Sequence, residues 1–359
     1  MTDIKRIRAT GLSSYEVVLG RGLLYEVDKA LGSLVRKVLL VYPETMEASA
    51  AVLADTLKEA GKLVWQFPVA NGEDAKTDRW LSVAWSSLGQ AEFSRSDAVV
   101  SLGGGTVSDL AGFIAATWLR GISVVHVPTT LLGIVDASIG GKTGINTQEG
   151  KNLAGAFHDP KAVIADLDTL ETLPRVELGS GFAEIIKCGF ISDPKILDLI
   201  EADVTSALDT KSDTFMELVE RTIAVKVDVV SKDFKESSLR EILNYGHTLG
   251  HAIEQAEHFK IKHGQAVSIG MCFVAELARL SGKISDELAD RHRSILKLVG
   301  LPTTYEGAKW NALYTAMQLD KKSRGGILRF VVLEDLAKPS ILEAPTQELL
   351  YQAFQEIAS

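Results

Sequence analysis

The chain has 359 residues, 46% hydrophobic and 24% charged, a length and balance that suggest two domains with a core each. A formal charge of −9 argues against sequence-blind binding to nucleic acid. No stretch is apolar enough to span a membrane and residues 1–5 carry no signal-peptide pattern, so a cytoplasmic enzyme with no membrane partner is expected.

Ahead of Lys37, alternation over residues 15–19 predicts an added strand or hairpin. Residues 37–42 (KVLLVY) form a short apolar run of the kind buried on both faces. Helical spacing follows over 45–60, then a strand over 63–69 and a helix over 74–88. Residues 97–102 (DAVVSL) predict another buried strand, 106–119 a helix, and 122–127 and 162–166 two further strands. Strands alternating with helices imply a mostly parallel, Rossmann-like sheet covered on both faces. From residue 176 the pattern changes to long helices, predicted over 176–191, 214–232, 239–258, 265–280 and 284–299, with one strand over 327–333. The boundary falls near Thr172-Leu173-Pro174, because proline disfavours helix in the residue before it. The expected organisation is an α/β domain over residues 1–174 and a mainly α-helical domain over 175–359. Cys188 and Cys272 fall in apolar helical patterns and read as buried free thiols.

Three segments sit just after predicted strands, where an open α/β sheet binds ligands. Gly103-Gly104-Gly105-Thr106-Val107-Ser108-Asp109 also opens a helix, whose free N–H groups suit a pyrophosphate. Ser108 stands where the usual dinucleotide fingerprint has Gly or Ala, and a tight strand-to-helix turn is the plain alternative. The other two segments are 71–76 and 128–130. Next, 136–146 mixes glycines with Asp136 and Lys142, and Lys151-Asn152 follows. A solvated surface loop is the plain reading, but Gly140-Gly141-Lys142-Thr143 sets a cation beside flexible backbone, which suits an anionic ligand. It lacks the leading glycine of a Walker A loop.

The second half carries a metal-ligand constellation. Glu184 and Lys187 are spaced i, i+3 on one predicted helix, and Asn244, His247 and His251 are spaced i, i+3, i+7 on another. His263-Gly264 begins the next. His247, His251 and His263 are three of the chain's seven histidines. Two imidazoles and a carboxylate are standard donors for zinc, with a position left open for substrate. Capped or core histidines are the alternative. H-E-x-x-H is absent, which disfavours a zinc protease, and spacing alone leaves the pairs 247/251 and 247/263 both open.

In order along most of the chain, these segments, together with Arg120-Gly121, Phe182–Lys187 (FAEIIK), 243–251 (LNYGHTLGH) and Asp320-Lys321-Lys322, resemble the 3-dehydroquinate synthase family. The resemblance implies that Glu184, His247 and His263 hold zinc or cobalt. It implies NAD binding by Asn71, Gly72, Glu73, Asp74, Ala75, Lys76, Gly104, Gly105, Thr106, Val107, Ser108, Asp109, Thr129, Thr130, Lys142, Lys151, Thr169, Leu170, Glu171 and Thr172. It assigns substrate contacts or chemistry to Asp136, Lys142, Asn152, Lys187, Lys226, Arg240, Asn244, His251 and one of Lys321 or Lys322. Arg120 matches an arginine that reaches the neighbouring subunit's site, so a homodimer is expected. The implied substrate is an anionic sugar-acid phosphate, 3-deoxy-D-arabino-heptulosonate 7-phosphate. The implied reaction is transient NAD-dependent oxidation, β-elimination of phosphate, re-reduction, ring opening and aldol closure to 3-dehydroquinate. Rival readings are a cyclase making a valiolone or inosose, a metal-dependent polyol dehydrogenase, and an NAD-binding regulatory module. The number of cations favours a substrate bearing both phosphate and carboxylate.

Overall fold

The structure, a computed structural model, describes residues 4–235, 239–323 and 326–358, without the side chains of 319–323. The chain divides into two compact units, Met1–Leu173 with Lys226–Lys235, and Pro174–Val225 with Glu236–Ser359.

The first unit is built on a seven-stranded sheet. In chain order its elements are β1 (Lys5–Thr10), β2 (Ser14–Gly20), α1 (Glu26–Leu31), β3 (Lys37–Pro43), α2 (Glu47–Glu59), β4 (Leu63–Val69), α3 (Asp78–Gln90), β5 (Ala98–Gly103), α4 (Gly105–Thr117), β6 (Ser123–Pro128), β7 (Lys142–Thr147), β8 (Gly150–Phe157) and β9 (Ala162–Asp166). The sheet order is β1-β2-β9-β6-β5-β3-β4, with only β1 antiparallel to its neighbour. Alternation places Val38, Leu40 and Tyr42 in one core with α1 and α2, and Leu39 and Val41 in another with α3 and α4. Each buried valine or leucine contributes about 1.5–3 kcal/mol, so β3 can only sit inside the sheet. The chain runs outward from β3 to β4 and returns to β5 on the other side of β3. That reversal is the switch point where open sheets leave a crevice at their strand ends.

Three local expectations are corrected. The helix predicted from residue 74 begins instead at Asp78, where the Thr77 hydroxyl accepts from the Trp80 N–H, and residues Gly72–Ala75 form a separate 3₁₀ turn. The segment read as a loop over 136–146 is not one loop. It begins in the end of a π-turn over Gly133–Ala137 and runs on into β7, which pairs with β8 as an antiparallel hairpin. The continuous helix predicted over 239–258 is broken. Residues Leu239–Asn244 form a 3₁₀ helix, and Gly246 then takes a left-handed φ of 79°.

The second unit contains α5 (Arg175–Ile191), α6 (Lys195–Ala202), α7 (Val204–Leu208), α8 (Asp213–Lys232, whose last turns belong to the first unit), α9 (His247–Ala256), α10 (His263–Leu280), α11 (Asp286–Leu298), α12 (Trp310–Ser323), β10 (Arg329–Asp335), β11 (Lys338–Glu343) and α13 (Gln347–Gln355). The predicted strand over 327–333 is β10, and β11 completes an antiparallel pair that the sequence pattern did not signal. Cys188 and Cys272 are buried free thiols. No helix among the described residues is long and apolar enough to cross a membrane.

Two buried histidines tie acid stability to this fold. His126 on β6 lies in register with Ser101 on β5, and its Nδ1 is 2.8 Å from the serine hydroxyl. Burial, with His158 nearby, pushes it down to about 3. His292 stacks on Phe190 at 3.5 Å, donates from Nδ1 to the Leu288 carbonyl and accepts from the Tyr245 hydroxyl. Burial pushes it, too, down to about 3. An unfolded histidine titrates near ~6.5. Between the two values the unfolded chain holds the extra proton, so stability is full above ~6.5 and is lost as pH falls toward 3, by up to ~1.4 kcal/mol per pH unit and group. His126→Asn is therefore expected to lower the melting temperature at neutral pH but to flatten its decline between pH 6.5 and 4.5. An equally steep decline would contradict this assignment.

Candidate functional site

Three helices of the second unit converge on one point. Glu184 lies on the buried face of α5, His247 opens α9 and His263 opens α10. The helices meet backbone to backbone. A side chain at Gly264 would overlap the backbone of Ser180 on α5, and one at Gly270 would overlap that of Gly246 at the head of α9. Helix α10 thus lies close enough to both neighbours for three short-reaching donors to meet.

Oε1 of Glu184 is buried and has no hydrogen-bond partner among the described residues. It lies 3.5 Å from Nε2 of His247 and 3.6 Å from Nε2 of His263. A tetrahedral ion with bonds of about 2.0–2.1 Å holds its donors roughly 3.3–3.4 Å apart. The orphaned oxygen and the two nitrogens fit such an ion and leave one position open. Their other atoms are already engaged: Oε2 of Glu184 accepts from the Lys187 ammonium, and Nδ1 of His247 is 3.1 Å from the Tyr245 carbonyl. Nδ1 of His263 is 3.2 Å from Oε2 of Glu254.

The charges are balanced for ligation. Burial works to raise the Glu184 carboxyl, but Lys187, His247 and His263 together hold it well below the usual carboxylate range. Burial and then Lys187 push His247 well below the usual imidazole range, which leaves it neutral as a ligand must be. On His263 burial works downward, but the Glu184 and Glu254 carboxylates outweigh it and raise the ring to about 10. An ion at its Nε2 therefore displaces a proton.

In the first unit, the loops at the strand ends are bound into one network. Lys76 donates to Asp109, at 2.6 Å, and to Asn152. Asn146 donates to Glu73 at 2.6 Å and accepts from the Asn152 N–H, and the Lys151 ammonium is 3.7 Å from Glu73. Burial pushes the Asp109 carboxyl up to about 6 despite the Lys76 ammonium. A side chain at Gly104 would press on Thr130 and one at Gly105 on Ala137, so the glycine turn admits the neighbouring loops. Thr129 donates its N–H to the Gly103 carbonyl. Asn71 Oδ1 accepts from Thr45, and Thr169 hydrogen-bonds to the Asp166 carbonyl in the turn that continues through Leu170, Glu171 and Thr172.

Other predicted residues fall as follows. Asp136, in the π-turn, pairs with Lys226 at the end of α8 within the first unit. Lys142 is exposed at the start of β7, and Asn152 takes a left-handed φ of 57°. Arg120, with a φ of 65°, borders an open surface depression with Arg95, His158 and Lys161. In the second unit Arg240 is buried, Asn244 partly so, and His251 is exposed on α9. The side chains of Lys321 and Lys322 lie outside the described residues. Sequence reasoning passed over Asn146 and Glu254. Glu254 follows His247 by seven and His251 by three, so its place on that helix face was readable, though its partner was not.

A parallel α/β unit followed by a helical unit with a Glu/His/His donor set marks a metal-dependent enzyme class built on a dinucleotide-type sheet. The model of the 3-dehydroquinate synthase N-terminal region matches residues 66–180, and that of the C-terminal region matches residues 181–323. A 3-dehydroquinate synthase from Pseudarthrobacter chlorophenolicus is 56% identical over 358 residues, covering 100% of this chain and 99% of its own. One from Rhodococcus opacus is 51% identical over 359 residues, covering 100% and 96%. A solved 2-epi-5-epi-valiolone synthase from Streptomyces hygroscopicus, with NAD+ and Zn2+ bound, shares the fold with a TM-score of 0.89 at 25% identity, covering 98% of this chain and 99% of its own. The chain belongs to the 3-dehydroquinate synthase family.

Proposed function

We propose that this chain is a carbon–oxygen lyase that converts 3-deoxy-D-arabino-heptulosonate 7-phosphate into 3-dehydroquinate and phosphate, a step toward chorismate and the aromatic amino acids, using NAD catalytically. The observation that carries the chemistry is the buried Glu184 oxygen facing the Nε2 atoms of His247 and His263 at 3.5 and 3.6 Å. Full-length identity of 51–56% to 3-dehydroquinate synthases supports this substrate over that of a valiolone or inosose cyclase, whose structural relative reaches 25%.

When bound, NAD+ supplies a reversible hydride acceptor, and zinc or cobalt on Glu184, His247 and His263 supplies Lewis acidity at the oxidised carbinol. The strand-end loops of the first unit hold the dinucleotide through Glu73, Lys76, Asp109 and the N–H groups that open α4. Arg240 grips the substrate carboxylate, a task suited to its planar fork, while Lys142, Lys226 and one of Lys321 or Lys322 supply point charges to the anionic groups. Asp136 and Lys187 handle protons around the oxidised hydroxyl. Asn152 and Asn244 orient the sugar acid, and His251 serves its phosphate end. The net change is loss of phosphate and closure of a ring, with no change in oxidation level.

Purified protein given NAD+, Zn2+ and the heptulosonate phosphate is expected to release one phosphate per substrate with no accumulation of NADH. Steady NADH build-up with a polyol would instead establish a dehydrogenase. Phosphate release from no sugar phosphate at all would favour a binding module.

The same reading includes a homodimer in which each Arg120 serves the neighbouring chain's site. Its exposed position supports that role. Mixing inactive Arg120→Ala chains with inactive His263→Ala chains should then restore activity, because one mixed site regains both parts. A mixture as inactive as its components, in a dimer shown to exchange, would contradict the shared site.

A further inference from the structure

We propose that Glu254 is the positioning residue for the metal ligand His263, holding its ring so that Nε2 rather than Nδ1 faces the ion. This rests on the assignment of His263 as a ligand.

An imidazole can present either nitrogen to an ion, and which one it presents is decided by the hydrogen bond made by the other. The two histidines are fixed differently. His247 is held by a neutral acceptor, the carbonyl of Tyr245, two residues earlier in its own segment. His263 is held by a charged one from another helix: Oε2 of Glu254 on α9 lies 3.2 Å from its Nδ1. Glu254 is 8% exposed, and a carboxylate that buried requires a partner of this kind.

The approach to His263 explains why an anchor is needed. Between α9 and α10 the chain turns through His258 and Phe259, with φ of 50° and 59°, a left-handed conformation that side chains disfavour. Glu254 acts twice here. Its carbonyl accepts from the Phe259 N–H at 2.8 Å, closing the turn, and its carboxylate holds the ring at the turn's far end. The contact uses only Nδ1, so it persists unchanged when an ion occupies Nε2.

A competing role is available. Donor atoms of His251, Glu254 and His263 also lie within 4.8 Å of one another, the reach of a separate ion site. In that arrangement Glu254 would be a ligand, and the Nδ1 bond would be lost.

The test is Co2+ binding to the metal-stripped full-length chain, read by chelator competition, ion stoichiometry and the visible spectrum of the bound ion. Glu254→Ala is expected to weaken binding by ~10–100-fold at one ion per chain, with an altered cobalt spectrum at saturation and unchanged far-ultraviolet circular dichroism. Glu254→Gln keeps an acceptor of the same shape without charge. It is expected to weaken binding by a smaller factor, about three- to tenfold, and it decides the matter if the alanine variant does not fold. Wild-type affinity and spectrum in the folded variants would overturn the proposal. So would two ions per wild-type chain with the second lost in Glu254→Ala. His263→Ala separates the layers: full affinity there would overturn the ligand set itself, whereas loss there with wild-type behaviour in the Glu254 variants would overturn only the positioning role.

Discussion

The metal geometry depends on one steric constraint, the absence of a side chain where α10 meets its neighbours. Gly264 lies against the Ser180 backbone on α5, and Gly270 against that of Gly246 beside α9. Glutamate and histidine side chains reach only a few ångströms. Glu184, His247 and His263 are spread along the sequence, and the close packing of their helices is what brings their donor atoms together. The left-handed Gly246 adds to this by ending the 3₁₀ segment, so that His247 falls in the first turn of a new helix. The same break places the Tyr245 carbonyl where it can hold the His247 ring.

Close packing has an electrostatic consequence. Burying a carboxylate beside two imidazoles is costly unless each remaining polar atom is engaged. Here Lys187, the Tyr245 carbonyl and Glu254 take up the outward-facing atoms of the three candidate ligands, and Oε1 of Glu184 has no hydrogen-bond partner among the described residues. The first unit uses the same economy. Lys76 ties Asp109 to Asn152, and Asn146 ties Glu73 to the hairpin, so loops from three different strand ends are held as one surface.

Much of this was readable from the sequence, for identifiable reasons. The strands β3 and β5 announce themselves because both of their faces are buried, which leaves no polar alternation to confuse with a helix. The hairpin β7–β8 was not readable, since its glycines and exposed polar residues look like a solvated loop and its pairing is set by register rather than composition. The break before α9 was hidden because apolar spacing runs straight through it, and the left-handed Gly246 that makes it lies against α10. The ligand ambiguity has the same root. His247 and His251 share a helix, so their spacing is visible, whereas the closeness of His263 is a tertiary fact. Residue patterns along one helix show which groups share a face, not which other helix that face meets.

The site therefore rests on backbone approach as well as on ligand identity, and Gly264→Ala isolates the former, since it changes no donor atom. The decisive measurement is the zinc dissociation constant of that variant by chelator competition, beside circular dichroism to show that it is folded. The added methyl must push α10 away from α5, so the affinity is predicted to fall by about tenfold or more with every candidate ligand in place. Wild-type affinity in the folded variant would show that the ligands meet for some other reason, and would contradict the account.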